Sequence, residues 1–335
     1  MCILFVLIGI LLIADSKGTA DTVRQCIYVC LDSLIPSLYC FMAFATLLIK
    51  SNAGELIITP LWYIMRYILK LDKKTFAVFI LSQLGGYPVG VKLLNELFAR
   101  NPCHSNKYNK ALLYCYNSGP AFVIGIVGIG IYGDITAGFI VFLSCLTANF
   151  LIAVMLNIRN DIGKTYKTEI RLSSSDISST LTGTAKAMLN IALPIILFNC
   201  IAELADYVLS NITEIKIPDI LKAITEITNI KSVGSVFSLP LTTALISFGG
   251  LCVIYQILTL ADFRIRKLNF IIARIIISAV SAFVCLLITT ATGYQPVRNV
   301  FAYATDTLIT DPLLLMCIAV MTFILLKDTG KTNKI

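Results

Sequence analysis

Three interruptions of apolar runs hold the residue types that bind small solutes. Gly85-Gly86-Tyr87-Pro88-Val89-Gly90 follows Phe76 to Leu81. Asn117-Ser118-Gly119-Pro120 precedes Ala121 to Tyr132, and Gly249-Gly250 follows Leu241 to Phe248. A helix broken inside an apolar run exposes N–H groups and a positive dipole end of roughly half an elementary charge, where anions bind. Gly85, Gly86 and Gly90 permit close backbone approach, and Pro88 and Pro120 suit first helical turns. Lys92 adds a full positive charge beyond the first break. Gln83, Tyr87, Asn117, Ser118, Gly119, Ser247, Gly249, Gly250 and Gln256 complete the candidate substrate-binding set. Tyr87 or Phe248 can stack on an aromatic ring. Each role has a structural alternative. The amides can satisfy backbone freed by the breaks, and the glycines can serve close helix packing.

Charged residues inside apolar segments are costly and default to functional hypotheses. Glu226 is the candidate for a coupling proton or cation, its alternative being a helix-end carboxylate at the interface. Asp32, Glu203 and Arg274 share this ambiguity, and Arg274 can snorkel. Glu96 can pair with Lys92 at i,i+4. No enzyme constellation is expected. The single histidine, His104, lies in a polar loop, and no phosphate-binding Gly-x-x-x-x-Gly-Lys-Ser/Thr loop occurs. No metal site and no cofactor are expected, because no cysteine pair has metal-ligand spacing.

The elements that must position these residues are membrane helices. The 335-residue chain is 57% hydrophobic and 14% charged, with mean hydropathy +0.85. Soluble domains carry about 25% charge. The net charge of +8 falls largely in loops and helix ends, as the positive-inside rule requires, and forms no aromatic-interleaved patch for nucleic acid. The 11 cysteines lie mostly within apolar runs, which suits a bilayer interior better than a disulfide-stapled ectodomain.

The pattern predicts an all-α polytopic membrane protein. It has two structural repeats of inverted topology, each with broken or re-entrant helices meeting near the midplane. Residues 1–25 form an N-terminal membrane helix and connector, with a signal peptide as the alternative for Met1 to Ala14. Residues 26–157 form the first repeat, 158–184 a polar linker, 185–326 the second repeat and 327–335 a polar tail. Cys26 to Ile49 spans, and Asn52 to Leu69 is an interfacial amphipathic segment with Trp62, Tyr63, Arg66 and Tyr67. Segments 75–98 and 111–132 are broken, and Gly133 to Leu156 spans. Ala185 to Leu209 spans, Ile217 to Asn229 is amphipathic, Leu239 to Leu260 is broken, and Asn269 to Thr290 and Asp311 to Leu326 span. Thr75 to Gln83 and Leu239 to Phe248 measure about 14 and 15 Å as helices, half of a core roughly 30 Å thick. The two glycine pairs therefore read as equivalent breaks in equivalent repeats, with Gly86 close to Gly250. Paired interruptions of this kind point to a transporter's central site.

Gly86-Tyr87-Pro88-Val89-Gly90-Val91-Lys92 with Leu94-Asn95-Glu96-Leu97 resembles the signature of the YlbJ-like sporulation integral membrane proteins. Asn117-Ser118-Gly119-Pro120-Ala121-Phe122-Val123-Ile124-Gly125, Leu34-Ile35-Pro36-Ser37-Leu38, Glu226-Ile227-Thr228 and Ser247-Phe248-Gly249-Gly250-Leu251 with Gln256 are similar to further motifs of that family. Tyr116, Cys252, Ile254 and Tyr255 depart from its pattern. The resemblance runs from about residue 30 to 325 and implies a nucleoside-recognition, or Gate, architecture in both repeats. It implies transport of dipicolinate from the mother cell toward the forespore, across the outer forespore (mother-cell-derived) membrane. The expected partners are a small-molecule anion and the lipid bilayer, not nucleic acid, with a homo-oligomer left open. The alternatives are a nucleoside-type solute transporter and a non-transporting membrane scaffold in spore-envelope assembly.

Overall fold

The computed structural model describes residue 9 and residues 12–161, 169–170, 172–213, 219–233 and 237–295. Most of Met1 to Ala14, the expected span Asp311 to Leu326 and the tail 327–335 lie outside the described residues. Among the described residues the secondary structure is helical throughout, with no strand. The helices are α1 (Ser16–Val29), α2 (Ile35–Lys50), α3 (Ala53–Ile57), α4 (Thr59–Leu69), α5 (Lys73–Gly85), α6 (Tyr87–Arg100), α7 (Ser105–Tyr114) and α8 (Pro120–Ile131). They continue as α9 (Ile135–Asn157), α10 (Ser174–Thr213), α11 (Asp219–Thr225), α12 (Ile230–Val233), α13 (Leu239–Phe248), α14 (Gly250–Leu260) and α15 (Lys267–Thr292).

Among the described residues four helical stretches are long and apolar enough to cross a membrane: Ile135–Asn157, Ser174–Asn211, Leu239–Leu260 and Lys267–Thr292. A fifth arises if α1 and α2, bent by 46° around a widened π-turn at Cys30–Leu34, form one span. This is the architecture of a multi-pass α-helical membrane protein. Helix α10 begins at Ser174, so the last part of the expected linker is helical, and the helix runs through Pro194 without ending.

The charged groups define two ends of the bundle. At one end Arg100 bonds the Lys50 carbonyl and Asn52, Lys107 pairs with Asp72 at 2.6 Å, and Lys70 bonds the Ile158 carbonyl. Lys110 bonds Asn160, Arg266 bonds Asn106, and Lys50 bonds Ser179 near the start of α10. Asp206, 27 residues beyond Ser179, lies about 40 Å further along that helix, at the opposite end. That end mixes Glu203, Asp206 and Asp219 with Lys222 and Lys231.

This geometry corrects the equivalence of the two glycine pairs. Ser82 and Gly90 would stand about 12 Å apart on a continuous helix. Instead a Cβ on Gly90 would lie 3.3 Å from that of Ser82. The chain thus turns back at Gly86, whose φ of 91° suits glycine, and both ends of α5–α6 lie at the basic end. At Gly249 (φ 85°) the chain bends yet continues across. The chain likewise continues across at the interruption 115–119, where α7 enters from the basic end and α8 leaves toward Tyr132. Segment 219–233, the described part of the stretch read as amphipathic, is two short helices around a 3-10 turn. It folds back at Glu226, and Asn229 returns to the Lys222 carbonyl at 3.4 Å.

The amphipathic arm α3–α4 does form. Leu61, Tyr63, Ile64, Tyr67 and Ile68 face outward, while Trp62 is buried and donates its indole N–H to the Leu71 carbonyl at 2.9 Å. The next residue, Asp72, caps α5, accepting from the Thr75 N–H at 3.3 Å and hydroxyl at 2.8 Å. Burial acts to raise the Asp72 carboxyl, but Lys107 and Thr75 outweigh it and hold the group below the usual aspartate range. A depressed folded value means that this contribution is full above the unfolded value of about 3.9 and is lost as pH falls below it. Asp72→Ala is expected to cost about 1 kcal/mol at neutral pH. Thermal unfolding in detergent should show the difference from wild type shrinking as pH drops through that window.

Candidate functional site

The site grows from a requirement of interrupted helices. A helix leaves its last four carbonyls without intrahelical donors, and at membrane depth water does not supply them. At the end of α13, Gly249 N–H donates to the Leu245 carbonyl at 2.9 Å. The next three carbonyls take side chains from three other elements. Tyr87 donates to Ile246, Arg274 to Ser247 at 2.6 Å and Tyr116 to Phe248 at 2.8 Å. The end of α7 is treated likewise: Arg274 donates to the Leu113 carbonyl at 3.2 Å and Gln83 to Tyr114 at 2.9 Å. Beyond it, Asn149 donates to the Tyr116 carbonyl at 3.0 Å.

Arg274 joins both breaks and is fully buried. It does not snorkel. Its guanidinium lies 4.0 Å over the Tyr116 ring, whose centroid is 4.9 Å from that of Tyr87. No carboxylate pairs with Arg274 among the described residues. The cation instead sits at two helix C-termini, each worth about half a negative charge, which together offset one guanidinium.

The predicted site residues divide. Gln83, Tyr87, Ser247 and Gly249 meet at the junction of the breaks. Gly86 and Gly119 bring two backbone turns together, with a Cβ on Gly86 placed 3.5 Å from the Gly119 nitrogen. Gly85 packs on Phe41 and Val89, and Gly90 packs directly on the Cys115 carbonyl. The close neighbours of Gly250 are the Ile224 carbonyl and the Ile227 nitrogen, each 3.2 Å from a Cβ placed there. Gln256 lies aside, bonding the Ile191 carbonyl at 3.1 Å within a turn before Pro194. Lys92 also lies aside, because Glu96 at 3.6 Å draws its ammonium away from Gly86 toward Lys50 and the basic end. Much of the amide and aromatic set thus serves the backbone. Asn117 differs: it is buried, and its Nδ2 has no hydrogen-bond partner, like Nε of Arg274. Glu226 is buried at the tip of the second hairpin, its Oε1 accepting from the Thr228 N–H at 3.2 Å.

A polar cleft of about 480 Å³ opens beside that second tip rather than between the glycine breaks. Its walls come from α1, α8, α10 and 219–233 and include Asp32, Asn199, Glu203, Lys222, Thr228 and Asn229. Arg274 and Asn149 were underrated by pattern alone. The signal for Asn149 is an amide in the middle of a largely apolar 23-residue helix, where Asn157 is the only other amide and ends it. No protein-family model, curated protein or solved structure matches the chain.

Two substitutions test the junction. Gly90→Ala drives a methyl into the Cys115 carbonyl and is expected to cost about 1–3 kcal/mol. Gly125→Ala, with nothing within 4 Å, should stay within about 0.5 kcal/mol of wild type by thermal unfolding in detergent. Arg274→Leu removes donors from both helix ends and is expected to cost at least about 1.5–3 kcal/mol in the same measurement.

Proposed function

We propose that the chain is a multi-pass membrane transporter of a small organic anion, with dipicolinate moved from the mother cell toward the forespore as the expected cargo. The observation that carries this reading is the pair of unsatisfied buried donors, Asn117 Nδ2 and Arg274 Nε, at helix ends that meet inside the bundle. Buried polar groups normally have partners. Buried donors without acceptors fit a ligand rich in acceptor oxygens. The resemblance in the Gly86 and Asn117 segments supplies the substrate class.

The order of elements supports two inverted Gate-like repeats. Each half has a hairpin that turns back inside the bundle, an interrupted crossing and an intact crossing. The first hairpin enters from the basic end and the second from the opposite end. By the positive-inside rule the basic end faces the mother-cell cytoplasm, so the polar cleft opens on the other side. No enzymatic step is part of this reading. A nucleoside-type cargo is the second reading, favoured by the stacked Tyr87 and Tyr116 rings. A non-transporting scaffold is favoured by the consumption of Gln83 and Gln256 in backbone bonds.

Uptake of labelled dipicolinate and of labelled nucleosides into proteoliposomes separates the three. Dipicolinate uptake is expected in the wild type and should be lost in Gly86→Leu and Asn117→Leu, with both proteins still inserted. Lys92→Gln should leave the preference for charged over neutral solutes unchanged, because its ammonium is held by Glu96. Uptake of nucleosides alone would move the reading to that cargo, and uptake of neither to the scaffold.

A further inference from the structure

We infer that Glu226 is a proton-exchange site inside the membrane, reached from the polar cleft on the side opposite the basic end. The coupling role of this proton rests on the transporter reading above; the exchange itself does not.

Glu226 is 1% exposed. Among the described residues only Oε1 has a hydrogen bond of ordinary geometry and Oε2 has none, and the carboxyl group neighbours the Cys252 thiol in the first turn of α14. No lysine or arginine pairs with it among the described residues. The nearest cation along its own hairpin, Lys222, is held by Asp206 at 2.7 Å. Cys26 and Cys30 face it from α1 and the π-turn, Cys252 from α14 and Tyr116 from the first break. None of these carries a positive charge. A buried carboxylate without a cation is so costly that such groups neutralise by taking up a proton. A sodium site would need several oxygen ligands converging on the carboxylate. Here the neighbouring side chain is the Cys252 thiol, and no group of three or more His, Cys, Asp or Glu residues is placed to hold a metal ion among the described residues.

A polar path leads toward Glu226. Thr228 and Asn229, the next residues but one and two after Glu226, line the cleft, which continues outward past Asn199, Glu203 and Lys231. A hydronium ion in the cleft gives its proton to Oε2, leaving water and a neutral acid. Release returns the proton to water and restores the carboxylate. The hairpin tip presses on Gly250, where a Cβ would stand 3.2 Å from both the Ile224 oxygen and the Ile227 nitrogen. A change of charge at Glu226 therefore acts where the second hairpin grips the start of α14, a helix whose positive end favours the carboxylate form.

The test is infrared difference spectroscopy on the purified full chain in liposomes, read with uptake in the same vesicles. In the wild type, the carbonyl stretch of a protonated carboxylic acid is expected at neutral pH and should convert to carboxylate bands on alkalinisation. It should vanish in Glu226→Gln and persist at shifted frequency in Glu226→Asp, which guards against loss of fold in the first variant. Wild-type uptake should respond to an imposed pH gradient and not to a sodium gradient. An acid band unchanged in Glu226→Gln would overturn the assignment. Uptake driven by sodium, with Glu226 ionised throughout, would also overturn it. A titrating Glu226 band in vesicles that move no solute would keep the proton site and reject the transporter reading.

Discussion

The rest of the structure depends on donors for the carbonyls that interrupted helices leave behind. In lipid each unpaired carbonyl costs several kcal/mol, so a break survives only where side chains reach it. The end of α13 recruits Tyr87 from the first hairpin, Arg274 from α15 and Tyr116 from the other break. Those bonds tie the two halves of the chain together at one place. They also explain why the breaks lie side by side: the same guanidinium serves both.

Charge follows from this arrangement. Helix C-termini converge on Arg274, so their dipoles hold a cation that no acid balances. The start of α14 faces the other way and holds Glu226 near its first turn. One interruption in a single crossing thus separates an electropositive end from an electronegative end by a glycine at Gly249. The guanidinium is kept in the membrane interior this way without an ion pair, whose desolvation is expensive, and the Glu226 carboxyl meets a positive helix end when its proton leaves.

The glycine-containing breaks, the apolar spans and the amphipathic arm were legible because each is a local pattern. Gly86, Gly119 and Gly249 mark departures from helix that apolar sequence alone would not tolerate. What pattern could not give is direction. Gly85-Gly86 and Gly249-Gly250 look alike in sequence, yet the chain reverses at one and continues at the other. The difference lies in distant partners: Gly90 against Cys115 and Asn95 against the Leu260 carbonyl at 2.8 Å. Lys92 was misplaced for a related reason. Distance along a helix says nothing of the acid one turn further on, and Glu96 decides where the ammonium goes. Arg274 stayed open between a functional charge and a snorkelling one because carbonyl ends carry no sequence signature.

The arm and the first hairpin share a bond with an optical consequence. Trp62 is the sole tryptophan of the chain, and its indole N–H is fixed to the Leu71 carbonyl, immediately before the cap of α5. The Arg66 guanidinium stands 5.5 Å from the ring. Indole emission depends on local polarity and on nearby charge. The native protein therefore carries a single built-in fluorophore at the mouth of its first hairpin, and displacement of that hairpin from the arm is written into its emission spectrum without any label.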